Sequence, residues 1–489
     1  MKGDRYDVPA GREARMPFGT DSPRRCRGGT RTMSTEDTIA AIATPPGIGG
    51  IGIIRVSGTG AEDICRRLFR PGNAVASLQS HHLYHGAILY PGTDDPIDEV
   101  LISLMRHPHS YTGEDTLEIN CHGGPLILQT VLQAVMEAGA RPALPGEFTK
   151  RAFMNNRIDL TQAEAVIDMI SARTTGGLRL ALSHLTGTLS RRAASIRQSL
   201  IEILALLETA IDFTDDDIEV VPASEIFDKI TNVTHDIGKI LSTYGGGKLY
   251  RDGLKVLITG KPNVGKSSLL NRLLGEKRAI VTPIPGTTRD FIEESINIRG
   301  IPVSFIDTAG IRDSDAAIEQ EGMGMVWERA ETADLIIVLL DGSQPLATED
   351  RQVIAGNRDR KIVLVVNKSD LPATLDETAL QTLLPDTPPL WISAKYGRGI
   401  DTLTDSIHTR VSDSNDVADV VLTNLRHKEA LERAATCTAQ AGESITKGYS
   451  CELAALDIRE ALDCLGELAG ATTNEDVLDE IFSRFCIGK

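Results

Sequence analysis

The sequence predicts a multidomain α/β plus α protein: an α+β N-terminal domain, a discontinuous helical domain, and, inserted into the helical domain, a domain with a doubly wound, mainly parallel sheet. Three observations predict it. Between Leu254 and Ile407 apolar strand-like runs alternate with helical patterns, as in sheets covered by helices on both faces. Amphipathic helical stretches lie on both sides of that segment, so the helical part is expected to be interrupted. Before them, short strands and turns mix with isolated helices.

The elements follow in chain order. Residues 1–32 are rich in Arg, Gly and Pro, lack apolar periodicity, and are expected to be an unstructured extension. Asp4, Asp7, Glu13 and Asp21 sit badly with the acid-poor composition of an organelle transit peptide, so the expected location is cytoplasmic and import is disfavoured. Residues 33–150 form the N-terminal domain, with strands in "TIAAIATPPGIGGIGIIRVSG", "EVLISLM" and "TLEINCHGG" and helices in "AEDICRRLF" and "LILQTVLQAVMEAG". Residues 151–247 are the first helical part: Thr161 and Glu164 have the spacing of a capping box, "IRQSLIEILALLETAI" is amphipathic, and "YGGGK" at Tyr244–Lys248 reads as a flexible hinge. Residues 248–412 are the inserted domain, with strands "KVLITG", "VSFIDTAG", "LIIVLLD", "KIVLVVNK" and "LWISAK". Residues 413–489 return to helices.

Bulk properties exclude some functions. The 489 residues suffice for about three domains, and 41% apolar content fills real cores. Lys plus Arg total 51 against 68 for Asp plus Glu, a net charge of −17, which argues against a protein that coats nucleic acid electrostatically. A local basic patch remains compatible with that balance. No stretch approaches the ~20 apolar residues of a membrane span. The seven cysteines are scattered without a CxxC pair, so neither a disulfide framework nor a zinc site is expected.

The inserted domain carries the chemistry. "GKPNVGKS", Gly260 to Ser267, fits the P-loop pattern and has its context, a strand before and a helix after. Its backbone amides can cradle phosphate at a helix N-terminus. Lys266 would reach the β and γ phosphates and Ser267 would ligate Mg2+. "GTTRD" places Thr288 as a second magnesium ligand. "DTAG", Asp307 to Gly310, ends another strand, where Asp307 can hold the metal through water and Gly310 can sense the γ phosphate. In "NKSD", Asn367 and Asp370 would bond the guanine edge, which adenine cannot match; Ser393, Ala394 and Lys395 would lie near the guanine carbonyl. The segment therefore reads as a P-loop GTPase domain. Its GTP-binding set is Asn263, Val264, Gly265, Lys266, Ser267, Ser268, Thr282, Gly286, Thr287, Thr288, Asp307, Thr308, Ala309, Gly310, Asn367, Lys368, Asp370, Ser393, Ala394 and Lys395. The water-orienting Gln that often follows the DxxG glycine is replaced by Ile311, so a polar group must come from elsewhere; Glu319 or Glu321 of "AAIEQEG" is an acidic candidate. No arginine finger is identifiable by spacing, and Arg289 reads more simply as a salt-bridge residue.

From about Met33 to Lys489 the chain resembles the MnmE (TrmE) family of tRNA modification GTPases. The resemblance rests on "ATPPGIGGIGIIRVSG", "YTGEDTLEINCHGGP", "PGEFTKRAFMNNRIDLTQAEA", the nucleotide motifs and the terminal "FCIGK". It implies that residues 33–150 bind a tetrahydrofolate derivative (5-formyl- or methylene-tetrahydrofolate) and dimerise. It implies a homodimer that works with an FAD-dependent MnmG-type partner and tRNA, away from membranes. The reaction would place an aminomethyl-type group, carboxymethylaminomethyl or similar, on carbon 5 of the wobble uridine. It implies K+ held by Asn263, Thr282, Ile284 and Thr287, supplying the charge that an arginine finger supplies elsewhere. Glu319 matches the family's general base, and Gly322 fixes its register. Arg55, Glu118, Arg157 and Lys489 match the folate positions. Cations suit the carboxylates of a glutamate tail, and a carboxylate suits the pterin's N–H groups. Arg157 departs from the Lys common in relatives, a planar fork in place of a point charge.

Some features stay outside this assignment. Cys486 occupies the place of a prenylation box, but the terminal Lys and the lack of a basic stretch argue against lipidation; it is either a reactive thiol or a packed residue. "DFTDDDIE" reads as a solvated acidic turn rather than a metal site. The rival reading of the whole chain is a GTP-controlled RNA-binding scaffold, such as a ribosome-assembly switch.

Overall fold

The computed structural model describes residues 37–74, 76–212, 222–276, 295–306, 332–411 and 422–489. Its first unit is a seven-stranded sheet: β1 Ile39–Ile42, β2 Ile51–Ser57, β3 Phe69–Pro71, β4 Leu83–Leu89, β5 Pro96–Met105, β6 Thr116–His122 and β7 Arg141–Pro142. The order is β3-β4-β5-β6-β2-β1-β7, antiparallel except for the parallel β1–β7 pair. Alternate residues such as Ile54, Val56, Ile102, Leu104, Leu117 and Ile119 are buried beneath the helices Ala61–Leu68 and Pro125–Glu137. In β2 and β6 the opposite face carries Arg55 and Glu118, directly paired in register. Strand alternation thus separates the core face from the chemical face.

The inserted unit is a six-stranded sheet ordered β13-β12-β11-β8-β10-β9. Its strands are β8 Leu254–Thr259, β9 Ser295–Ile298, β10 Ile301–Phe305, β11 Leu335–Asp341, β12 Ile362–Asn367 and β13 Leu390–Trp391. All pairs are parallel except the β9–β10 hairpin. Both faces are buried, which explains the unbroken apolar strands. Val256, Ile337 and Val365 face the helices Lys266–Glu276 and Ile400–Val411, whereas Leu257, Val338 and Leu364 face Thr348–Gly356 and Glu377–Leu383. Covering both faces is what a doubly wound sheet requires.

The flanking helices form one body. Leu200 and Ile203 of Thr188–Asp212, Ile230 and Ile237 of Ala223–Ser242, Leu431 of Leu425–Thr446 and Ile458 of Cys451–Ala469 share a single core. Segments before and after the insertion therefore complete each other. The final helix, Glu475–Ser483, leaves that body: Leu478 and Phe482 pack with Leu160 of the helix Leu160–Ser171.

Two local expectations are overturned. Tyr244–Lys248 is not a hinge; it begins a helix, Tyr244–Asp252. Tertiary burial of Tyr250 outweighs the low helix propensity of three glycines. The turn falls instead at Gly253, with φ +84° and Pro302 O only 2.6 Å from where a Cβ would stand. The capping box is made by Asp159 and Gln162, not Thr161 and Glu164. Asp159 lies just before the first helical residue, where its carboxylate accepts from Gln162 N at 2.9 Å. Glu164 lies inside the helix and joins Arg426 and His427 across the insertion.

Candidate functional site

β8 ends at Thr259, and the chain then needs left-handed backbone to wrap around an anion. Gly260 (φ +150°), Asn263 (φ +63°) and Gly265 (φ +103°) supply it. The helix Lys266–Glu276 begins immediately, so its N-terminal amides and positive dipole end face the loop. Lys266 Nζ bends back over the loop and donates to the carbonyls of Gly260 at 2.7 Å and Lys261 at 2.9 Å. Val264 is buried beneath; Asn263 and Ser268 are exposed, and Ser267 is half-buried at the helix start.

Two further loops converge on this one. Asn367, at the end of β12, donates to Val264 O at 2.8 Å and accepts from Ala394 N at 2.9 Å. Ser393 Oγ donates to Asp370 Oδ1 at 2.6 Å. That bond holds the Asp370 carboxyl below its ordinary value. Arg272 donates to Ala394 O at 3.0 Å and also to Lys395 O. Lys395 Nζ lies over the Tyr396 ring, 5.1 Å from its centroid. Of the expected nucleotide residues, Asn263 to Ser268, Asn367, Lys368, Asp370 and Ser393 to Lys395 are thus brought together. Thr282, Ile284, Gly286, Thr287, Thr288, Arg289, Asp307, Thr308, Ala309, Gly310, Ile311, Glu319 and Glu321 lie outside the described residues.

Two residues supporting the site escaped the sequence reading. Asp341, buried at the end of β11, accepts from Lys368 Nζ at 2.7 Å. Burial alone would raise its pKa; Lys368 and Ser343 overcome that and lower it. Asp350, also buried, pairs with Lys261 Nζ at 2.9 Å and so anchors the loop to the helix Thr348–Gly356. A carboxylate closing the otherwise apolar "LIIVLLD" was the available signal for the first.

A second polar cluster lies on the outer face of the N-terminal sheet. Arg55 donates to Glu118 Oε1 through Nε at 3.0 Å and Nη2 at 2.8 Å, and to Gly488 O at 3.3 Å. Its guanidinium carbon lies 5.5 Å from the Tyr111 ring centroid and 5.8 Å from that of Phe148. Gly488 (φ +95°) packs against Ile42 O, bringing Lys489 beside Arg55 and Glu118. Burial and then Arg55 lower the Lys489 pKa, with Glu118 opposing. Arg157 is exposed and joins the edge of the cluster through Ser110 O, at 3.1 Å, next to Tyr111. Cys486 is exposed as well. The cluster offers two cations, one carboxylate and the partly exposed Tyr111 ring, with the buried Phe148 ring beneath Arg55, which is suitable chemistry for a flat heterocycle bearing an anionic tail.

The described cysteines are all free, and no group of three or more metal-ligating side chains occurs among the described residues. None of the described helices is long and apolar enough to cross a membrane.

Comparison with known proteins gives the family. The model of the GTP-binding protein TrmE N-terminus matches residues 38–157, and that of the MnmE helical domain matches residues 160–486. The tRNA modification GTPase MnmE of Syntrophus aciditrophicus is 55% identical over 456 residues, covering 93% of this chain and 100% of its own. That of Geobacter metallireducens is 48% identical over 462 residues, covering 94% and 100%. Among solved structures, the G domain of T. maritima FeoB is 25% identical over 32% of this chain and 99% of its own, with a TM-score of 0.25. A match at this identity over the full length of its relatives places the chain in the MnmE family of tRNA modification GTPases.

Proposed function

We propose that this GTPase is one component of a two-protein complex that adds an aminomethyl-type group to carbon 5 of the tRNA wobble uridine, using a tetrahydrofolate one-carbon unit. The observation that carries the reading is the cluster of Arg55, Glu118 and Lys489, with the Arg55 guanidinium against the rings of Tyr111 and Phe148, assembled from a sheet face and the chain's last residues. Cations suit a folate's carboxylates and a carboxylate suits pterin N–H donors, and the cluster offers both without assigning either end of the ligand to one residue. Arg157 lies at the rim with its charge toward solvent. The folate, when bound, supplies the one-carbon unit; these residues hold and orient it.

At the nucleotide site the P-loop amides and Lys266 hold phosphate, Lys266 exchanging the Gly260 and Lys261 carbonyls for phosphate oxygens. Asp370 reads the guanine edge. Asn367 uses one hydrogen and one lone pair to lock two loops together, leaving the others for the base. Ser267 and Thr288 would ligate Mg2+, with Asp307 acting through water. Asn263, Thr282, Ile284 and Thr287 would ligate K+. These ions supply positive charge where phosphate charge develops. Glu319 accepts the proton of the attacking water. Hydrolysis then reorganises the composite site rather than making the carbon bond.

The same reading includes a cytoplasmic homodimer formed through residues 33–150, an FAD-dependent MnmG-type partner, and the divisions 151–247, 248–412 and 413–489 for the two helical parts and the G domain between them. Mass spectrometry of tRNA nucleosides from a deletion strain tests it. The expected result is loss of the wobble-uridine modification. Unchanged wobble uridines with abnormal ribosome profiles would instead favour an RNA-binding assembly switch.

A further inference from the structure

The chain as a whole is acidic, with a net charge of −17. One stretch departs from that balance: from Met169 to Ile201 there is no Asp or Glu, while Arg173, Arg179, Arg191, Arg192 and Arg197 are all present. This stretch covers the helix Thr175–Leu185, a short turn, and the first half of Thr188–Asp212. All five arginines are exposed.

Absence of carboxylates in sequence is not enough, because folding can bring them in from elsewhere. Residues 64–93 show this. They too lack Asp and Glu, yet Arg66 pairs with Glu62 at 2.8 Å, and Arg70 pairs with Asp94. Around the helical stretch the fold does the opposite. Glu164 is committed to Arg426 and His427, and Asp168 to Arg251 at 2.8 Å. Among the described residues no carboxylate pairs with any of the five arginines. Arg191 instead donates to Thr186 O at 2.6 Å, which places its guanidinium at the corner between the two helices. Ser183 Oγ donates to Thr188 Oγ1 at 3.0 Å and closes the same corner. Leu178 and Leu182, 42% and 47% exposed, lie among the charges.

We propose that this corner, formed by Thr175–Leu185 and the start of Thr188–Asp212, is the surface on which the chain binds the phosphate backbone of tRNA. Charge complementarity decides the occupant. Exposed guanidiniums that no described carboxylate pairs with keep their charge for an external anion, and a phosphate is held by that charge. Such interactions position a nucleic acid without reading its bases. They also account for tRNA binding by an acidic protein, because Debye screening confines the repulsion from distant carboxylates to about 10 Å at 0.1 M salt. The proposal rests on tRNA being this family's substrate. It is tested by affinity alone, so its failure leaves the wobble-uridine chemistry to the nucleoside analysis.

The test titrates labelled, unmodified tRNA with the full-length protein over a range of KCl concentrations. Arg179→Ala/Arg191→Ala/Arg192→Ala/Arg197→Ala together should weaken binding at least tenfold. The log–log salt slope should fall by about 0.7–0.9 for each phosphate that is no longer neutralised. The corresponding four Arg→Lys changes should retain most of the affinity, and Arg66→Ala/Arg70→Ala should change nothing. Unaltered affinity and slope in the alanine set, absence of tRNA binding by the unsubstituted protein, or failure of the lysine set to the same degree would each overturn the proposal. Loss of binding to the MnmG-type partner with tRNA affinity intact would overturn it in favour of a protein-docking surface.

Discussion

The side-chain amide of Asn367 donates to the carbonyl of Val264 at 2.8 Å, tying the guanine side of the nucleotide site to its phosphate side. The same residue accepts from Ala394 N, so one buried side chain fixes three loops. Asn367→Ala leaves a buried carbonyl and a buried amide without partners, at about 1–3 kcal/mol for each unsatisfied group. The expected outcome is a lowered unfolding midpoint together with a loss of GTP affinity. Thermal unfolding and a fluorescent-nucleotide titration would check it, and a drop in affinity without a drop in midpoint would confine Asn367 to base recognition.

Glu164 shows how the interrupted helical body is closed. Burial by itself would raise its pKa, but His427 and Arg426 outweigh burial and hold it at about 2. A carboxyl depressed in the folded state contributes stability above its unfolded pKa and loses it as pH falls toward the folded value. Glu164→Gln should therefore cost about 3–5 kcal/mol near neutrality, as expected for breaking a buried ion pair. The gap from the unsubstituted protein should narrow between the ordinary carboxylate range and about pH 2. Urea midpoints across that range would measure it, and a constant gap would show that the charge is not what Glu164 contributes.

What could be read from the sequence follows the range of the interactions. The inserted sheet was legible because Val256, Leu257, Ile337 and Val338 fill both faces and leave an unbroken apolar signature. The P-loop and "NKSD" were legible because their chemistry is local. Lys368–Asp341 and Lys261–Asp350 were not, since they join residues 27 and 89 positions apart. The helix over Tyr244–Asp252 was missed for a similar reason: its glycines are a local signal, whereas the burial of Tyr250 is a tertiary one. Arg55 meets Gly488 across 433 positions, and only family resemblance had put Lys489 beside it.

That long-range meeting can be tested directly. Lys489→Ala removes one of the two cations beside Glu118 and should weaken binding of 5-formyl-tetrahydrofolate at least tenfold in calorimetry, with thermal unfolding as the folding control. Because burial and Arg55 lower the Lys489 pKa, affinity in the unsubstituted protein should begin to decline at a pH below the ordinary lysine range. A decline only at the ordinary lysine value would show that Lys489 does not meet the anion.

Ile311 cannot orient water, so the proposed base is Glu319. Glu319→Ala should slow GTP hydrolysis by about 10²–10⁴, the usual contribution of a general base, with GTP affinity close to normal. Single-turnover rates at saturating GTP separate the two quantities. Unchanged turnover would remove Glu319 from the mechanism.

Where the inserted unit meets the helical body, the backbones of Gly176 and Gly300 come too close for a side chain. A Cβ on Gly176 would stand 2.7 Å from Gly300 O and 2.9 Å from the Tyr250 ring. Thr174 Oγ1 donates to that same carbonyl at 2.6 Å, and Arg251 donates to Asp168 alongside. Two kinds of damage can therefore be ranked. Gly176→Ala forces the β9–β10 turn away from the helix Thr175–Leu185, an overpacking cost of about 1–3 kcal/mol, and breaks the Thr174 bond with it. Thr174→Val keeps the approach but removes both this bond and the helix-capping bond that Thr174 Oγ1 accepts from Gly177 N, at about 1 kcal/mol each. The glycine variant should thus unfold at a lower temperature than the threonine variant, and its seam amides should exchange hydrogen faster. Equal effects would mean that the hydrogen bond, rather than the close packing of the two glycines, holds the units together.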